Sequence, residues 1–187
     1  MNFFSIICIL FLGISSAHAQ TGKAIAEFSK AIAANHNNAD AYTNRALAYV
    51  KSGDLTDAVS DATQAIEINP KDSIAYYLRG AIYYKQGFGM QAIDDFSQAI
   101  AINPKVAKGY MGRALTYLRE NGPNEAIADL TKVIEINPHY PRVYFNRAVA
   151  YYQLKQYDKA WADVHKTQSL GDTVNPDFIA ALKKESN

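Results

Sequence analysis

Arginine and aspartate recur in this chain at a fixed interval. Arg45, Arg79, Arg113 and Arg147 are evenly spaced, and Asp61, Asp95, Asp129 and Asp163 follow them in step, each the same distance behind its arginine. A guanidinium held against a carboxylate could bind an anion or steer a proton, yet an active site is expected once and this pairing is offered four times. The repetition points to architecture. A guanidinium fork matches a carboxylate bidentately and fixes the register of two elements better than a lysine does. A row of arginines facing a ligand is the competing reading of the same spacing.

Other chemistry-bearing residues are sparse. His36, His139 and His165 make no HExxH, paired-histidine or Cys/His pattern, so neither a metal site nor a cofactor is expected. Gly87-Phe88-Gly89 is the single Gly-x-Gly, and no strand stands before it to build a phosphate loop. A formal net charge of +1 signals neither a nucleic-acid binder nor an acidic scavenger. We expect a protein that is not an enzyme. The 49% hydrophobic content excludes a fully disordered chain.

Punctuation in the sequence identifies the elements that must hold the arginines and aspartates. Asn-Pro recurs at 69–70, 103–104 and 137–138, each time after an apolar helical run such as Ala65-Ile66-Glu67-Ile68. Proline disfavours helical geometry in the residue before it but is tolerated in a first turn, so each Asn-Pro ends one helix and lets another begin. Between prolines comes an aromatic-rich helix, a break at Gly53, Gly87 or Asn121-Gly122-Pro123, and an alanine-rich helix. Each unit is thus a helical hairpin. With residues 39, 73, 107 and 141 taken as position 1, the arginines stand at position 7 and the aspartates at position 23. These are equidistant from a turn near position 15 and therefore lie opposite each other in four stacked pairs.

This pattern resembles the tetratricopeptide repeat, whose period is about 34 residues. Its large-aromatic position is filled by Tyr42, Tyr76, Tyr110 and Tyr144, and its tyrosine position by Tyr49, Tyr83, Tyr117 and Tyr151. The small crossing position holds Ala46, Gly80, Ala114 and Ala148, and the second helix opens its packing face with Ala58, Ala92, Ala126 and Ala160. The family more often has leucine where the arginines stand. The resemblance implies an all-α fold, a right-handed α-solenoid of antiparallel helix hairpins. It divides the chain into repeats at 39–72, 73–106, 107–140 and 141–174. They are preceded by a leading half-repeat at 20–38, second helix only, and followed by a capping helix at 175–187.

In this family the first helices line the concave face. The resemblance therefore implies a peptide-binding groove containing Tyr77, Tyr84, Lys85, Lys108, Met111, Leu115, Arg119, Arg142, Phe145 and Tyr152, apolar in the centre and basic at the edge. The expected function is a non-catalytic interaction module that binds a protein or peptide segment. The alternatives are an oligomerisation scaffold or an accessory subunit of an envelope enzyme. The family's carboxylate clamp is present only in fragments, at Asp40/Asn44, Lys108/Gly112 and Arg142/Asn146. The half-repeat, with Ala24, Phe28 and Ala31 on a helix lacking its companion, offers a surface for a symmetric homodimer.

The first nineteen residues read as a signal peptide. Phe3 to Ile14 is almost wholly apolar, and Ser15-Ser16-Ala17-His18-Ala19 supplies the small-x-small pattern, so cleavage is expected after Ala19. A dozen residues rise only about 18 Å as a helix, too short for a membrane span. The expectation is an exported protein, periplasmic or secreted. Removal of this segment would remove Cys8, the only cysteine, and leave stability to packing alone.

Overall fold

A computed structural model describes residues 3–186, with side chains from residue 19 onward. Most of the expected signal segment therefore lies outside the residues whose side chains are described. The described residues form ten helices: α1 (Phe3–Ala34), α2 (Ala39–Ser52), α3 (Leu55–Ile68), α4 (Ser73–Gln86), α5 (Gly89–Ile102), α6 (Ala107–Arg119), α7 (Pro123–Ile136), α8 (Val143–Gln153), α9 (Tyr157–Ser169) and α10 (Pro176–Glu185). The chain is an all-α repeat protein of the solenoid class. It divides into two compact units, residues 1–82 and 83–187. In unit 1, α2 packs on both α1 and α3; in unit 2, the consecutive helices from α5 to α10 pack pairwise.

The turns explain the helix boundaries. Between hairpins, the Asn69, Asn103 and Asn137 side chains accept the backbone N–H two residues on, from Lys71, Lys105 and His139 at 3.2, 3.3 and 3.0 Å. The intervening proline has no N–H to satisfy, so the Asx turn closes around it. Asn35 makes the same turn to Asn37, with His36 in place of proline. Within hairpins, position 15 is left-handed throughout: Gly53 (φ 90°), Gly87 (φ 91°), Asn121 (φ 59°) and Lys155 (φ 57°). In the third hairpin the left-handed residue is Asn121 and not the neighbouring glycine. Repeat 4 starts late. Pro141 lacks the N–H to join a first turn and Arg142 adopts φ 59°, so α8 begins at Val143.

Two pairs of positions set the packing. Where the helices of a hairpin cross, Ala46, Ala114, Ala148, Ala58, Ala92, Ala126 and Ala160 are fully buried, since only small side chains permit so close an approach. Position 24 of one repeat and position 6 of the next balance each other's volume. In unit 1 the small Ala62 shares a cluster with Leu78. In unit 2 the order inverts: Phe96, only 2% exposed, lies so close to Gly112 that a Cβ there would fall 2.6 Å from its ring.

α10 keeps the period but changes its outer side. Phe178 occupies the aromatic position 4 and Leu182, fully buried among Ala148, Ala160 and Val164, occupies position 8. Positions 3 and 10 are buried in all four repeats, but in α10 they hold the exposed charges Asp177 and Lys184. A charged outer side over a buried inner one is what a terminal helix requires.

Volume balance is testable by exchange. Phe96→Ala should cost about 3–5 kcal/mol by cavity formation, and Gly112→Leu about 1–3 kcal/mol or more by overpacking. The double variant Phe96→Ala/Gly112→Leu copies the Ala62/Leu78 pair and should regain at least half of the summed loss in thermal unfolding followed by circular dichroism. Strict additivity would contradict the pairing.

Candidate functional site

The arginine row is built into the hairpins. Arg45 Nε and Nη2 donate to Asp61 at 2.7 and 2.8 Å, Arg113 to Asp129 at 2.8 and 2.7 Å, and Arg147 to Asp163 at 2.8 and 2.9 Å. Asp95 is buried to the same 5% as the other three aspartates. The spacing of arginines and aspartates does not reveal a further partner. The Nη1 of each arginine donates to a hydroxyl at position 25 of the preceding repeat: Arg45 to Ser29, Arg79 to Thr63, Arg113 to Ser97 and Arg147 to Thr131, at 2.9–3.2 Å. Each of Arg45, Arg113 and Arg147 therefore ties its own helix to the second helix of its hairpin and to the second helix before it. Tyrosine rings flank the guanidinium: Tyr42 and Tyr49 lie 5.7 and 5.9 Å from Arg45, and Tyr144 and Tyr151 both 5.8 Å from Arg147.

The hydrogen bond to aspartate, ahead of burial's opposing effect, raises the pKa values of Arg45, Arg113 and Arg147 above the ordinary arginine range. A raised cation pKa gives stability that is complete below the unfolded value and lost only as pH climbs past it, so the guanidinium side of the pair is constant at ordinary pH. Burial likewise raises Tyr49 and Tyr140 above 10.0, with Arg45 partly offsetting the effect at Tyr49. Their neutral form is the stabilising one, and its contribution is lost as pH rises above 10.

The expected groove residues do not form one open strip. Tyr77 lies in unit 1 and the others lie in unit 2. Met111 is buried at 7% in a core cluster with Ala114, Val143 and Tyr144, and its sulfur accepts from Asn146 Nδ2 at 3.6 Å; it is a packing residue. Phe145 and Tyr152 meet Phe178 of α10 edge-on, at 5.4 and 5.5 Å between ring centres, so that helix covers them in part and both stay half-buried. Leu115 packs partly against the same core as Met111. Arg119 lies 4.6 Å over the Tyr84 ring and donates to the Tyr84 carbonyl at 2.8 Å, which bridges α4 and α6. Arg142 is not on a helix. It precedes α8, exposed, with its guanidinium 5.5 Å from the Phe145 ring. The fully exposed members are cationic, Lys85, Lys108, Arg119 and Arg142, while Tyr77, Tyr84, Leu115, Phe145 and Tyr152 are half-buried.

Three of the first helices are also one-signed along their own length. Among the first helices, α4, α6 and α8 contain no aspartate or glutamate, whereas α3, α5, α7 and α9 each carry at least two. Most carboxylates of these hairpins lie on the second helices; two lie at the exposed cations, Glu120 just past α6 pairing with Arg119 at 3.7 Å and Asp172 accepting the Arg142 backbone N–H at 3.3 Å. Among the described residues no group of three or more histidine, cysteine, aspartate or glutamate side chains could hold a metal ion. No helix of the described residues is long and apolar enough to cross a membrane.

The Arg–Asp pair can be tested by a double-variant cycle. Asp129 is 7% and Arg113 21% exposed, so Asp129→Ala should cost about 2–4 kcal/mol through the guanidinium left half-buried without its partner. Arg113→Leu/Asp129→Ala should recover more than half of that in urea unfolding. A double variant as unstable as the sum of its singles would remove the staple from the account of stability.

Two family models match the chain. One, described as TPR repeat, matches residues 20–53, 48–87 and 124–155, more than half of the chain; the other, described as tetratricopeptide repeat, matches 77–138. Solved structures similar to it include MamA (25% identity over 79% of this chain and 86% of that one, TM-score 0.75). Another is a MamA fragment from Desulfovibrio magneticus RS-1 (18%, 87% and 93%, TM-score 0.76). A third is YrrB, described as a TPR protein with an unusual peptide-binding site (20%, 96% and 90%, TM-score 0.73). Comparison with curated protein sequences finds no match. The evenly spaced hairpins, the crossing alanines and the family models that match them place this chain in the tetratricopeptide-repeat family, whose members are generally non-catalytic modules that bind proteins or peptides.

Proposed function

We propose that the first-helix side of unit 2 binds an extended or helical peptide rich in carboxylates, without catalysing a reaction on it. The observation that carries this reading is the charge segregation: the exposed cations Lys85, Lys108, Arg119 and Arg142 stand on or beside helices devoid of acidic residues. With a chain net charge of only +1, the positive potential is local, and a ligand feels it only within a Debye length of about 8–10 Å. Apolar anchoring falls mainly to Leu115 and the rim of Tyr84, because Met111 is buried and the rings of Phe145 and Tyr152 are engaged edge-on with Phe178. The peptide-binding site named for the similar structure YrrB supports a peptide as the ligand class. Recognition would rest on charge more than on a deep pocket, so affinity should be modest and salt-sensitive.

Anisotropy of a short fluorescein-labelled peptide alternating glutamate and leucine measures this directly. Binding should weaken about tenfold in Lys108→Glu/Arg142→Glu and again between about 50 and 300 mM salt. A glutamine-for-glutamate peptide that binds equally well would overturn the reading.

For location, the apolar run from Phe3 to Ile14 and the Ala17-His18-Ala19 pattern support export, with α1 of the mature chain starting at Gln20. N-terminal sequencing of the protein recovered from cells should read Gln-Thr-Gly-Lys. Recovery of the intact Met1 terminus from the cytoplasm would reject export.

A further inference from the structure

Position 20 and position 24 of the second helix are sealed in every complete repeat: Ala58, Ala92, Ala126, Ala160 and Ala62, Phe96, Leu130, Val164 are all 2% exposed or less. In α1 the same positions hold Ala24 and Phe28, and both are only half-buried. In the first repeat the companion first helix supplies the cover, Ala46 of α2 packing with Ala58 and Ala62. α1 has no such companion among the described residues, because residues 3–18 continue the same helix. An open trough runs between α1 and α2 instead, lined by Thr21, Ala24, Phe28, Asn44 and Leu47, with Leu47 42% exposed and with Lys51 of α2 as the charged residue of its lining. On α1 itself, next to Phe28, one carboxylate keeps the hairpin register. Glu27 stands at position 23, where every complete repeat has the aspartate that meets an arginine; its side chain is 63% exposed and pairs only loosely with Lys23 of its own helix, at 3.9 Å.

We propose that this trough docks an amphipathic helix of a partner protein carrying an arginine followed at once by alanine or glycine, which completes the missing hairpin. The geometry needed is repeated in the chain: Arg45-Ala46, Arg79-Gly80, Arg113-Ala114 and Arg147-Ala148 set an arginine toward the carboxylate and a small residue into the crossing. In the docked helix the arginine meets Glu27, the small residue seats on Ala24, and apolar neighbours cover Phe28 and Leu47. A second copy of the chain does not supply this helix. Its four arginine-small pairs lie on first helices that are part of its own hairpins, and α10 has Ala181-Leu182 at the corresponding positions. The trough lies in unit 1 and its proposed occupant presents an arginine to Glu27, so the proposal is independent of the anion-binding reading of unit 2.

The probe is a capped, fluorescein-labelled peptide with the sequence of residues 39–52, which carries Tyr42 and Arg45-Ala46, added to the full chain. Saturable binding is expected, weakened about tenfold by Phe28→Glu and about fivefold by Glu27→Lys. A peptide with Arg45→Glu should bind Glu27→Lys better than the wild-type chain, a reciprocity that loss of folding cannot mimic. A peptide of residues 176–185 should not bind. Absence of saturation up to about 1 mM, or binding indifferent to both Phe28 and Glu27, overturns the proposal. So does a homodimer in light scattering that Phe28→Glu dissociates, since the α1 surface would then cover itself.

Discussion

A guanidinium at position 7 holds Arg45, Arg113 and Arg147 each to three helices at once. It closes its hairpin through two hydrogen bonds to the aspartate at position 23 and reaches back to a hydroxyl at position 25 of the repeat before. Helix-on-helix packing through alanines alone would tolerate sliding, because small side chains make shallow ridges and grooves. A planar fork with fixed donor directions does not tolerate it. Register between hairpins thus rests on a directional interaction, and the apolar contacts fill in around it. Between α9 and α10 both ends of the device are absent together: position 25 of the fourth repeat is His165, stacked on Trp161, and position 7 of α10 is Ala181.

Volume is matched across repeats by a second, non-directional constraint. Large and small residues trade places between position 24 and the following position 6, as Ala62 with Leu78 and Phe96 with Gly112 show. A glycine inside a helix ordinarily costs about 0.5–1 kcal/mol relative to alanine. At Gly112 that cost is offset by the room it gives the Phe96 ring. Individual repeats can therefore depart from one another in sequence while their spacing stays constant, which is why a strict period coexists with variable core residues.

Much of this is legible in the sequence because it rests on residue types that carry a mechanism. Asn-Pro, glycine at the hairpin turn and alanine at the crossing each have a backbone reason and recur with one common period. The fold follows from them. The fourth hairpin turn is not legible in that way, because Lys155 takes the left-handed conformation that the sequence marks elsewhere with glycine or asparagine. The hydroxyl partners are hidden because serine and threonine alternate along that row and are common on any helix. The groove departs from expectation for a different cause. A position can face the groove in the family and still be consumed locally, as Met111 is by the core cluster and as Phe145 and Tyr152 are by Phe178. One signal for this exists, since Phe178 lies one full period beyond Tyr144 and so announces a further first helix ready to cover its neighbour.

The first helix of unit 1 and the last helix of unit 2 meet the same physical problem in opposite ways. A stack of hairpins must end on a helix whose next neighbour is missing, and the apolar side it would have shown that neighbour faces water unless its residues change. At α10 they do change: Asp177 and Lys184 replace residues that are buried in all four repeats, and the end is sealed. At α1 they do not. Ala24 and Phe28 keep the packing identity of a second helix inside a complete repeat, and Glu27 keeps a carboxylate where the interior aspartates stand. Exposed apolar surface beside a carboxylate in hairpin register is a poor terminus but a serviceable docking edge. The asymmetry between a charged last helix and an unfinished first one is therefore better understood as a functional difference between the ends than as a lapse in the repeat.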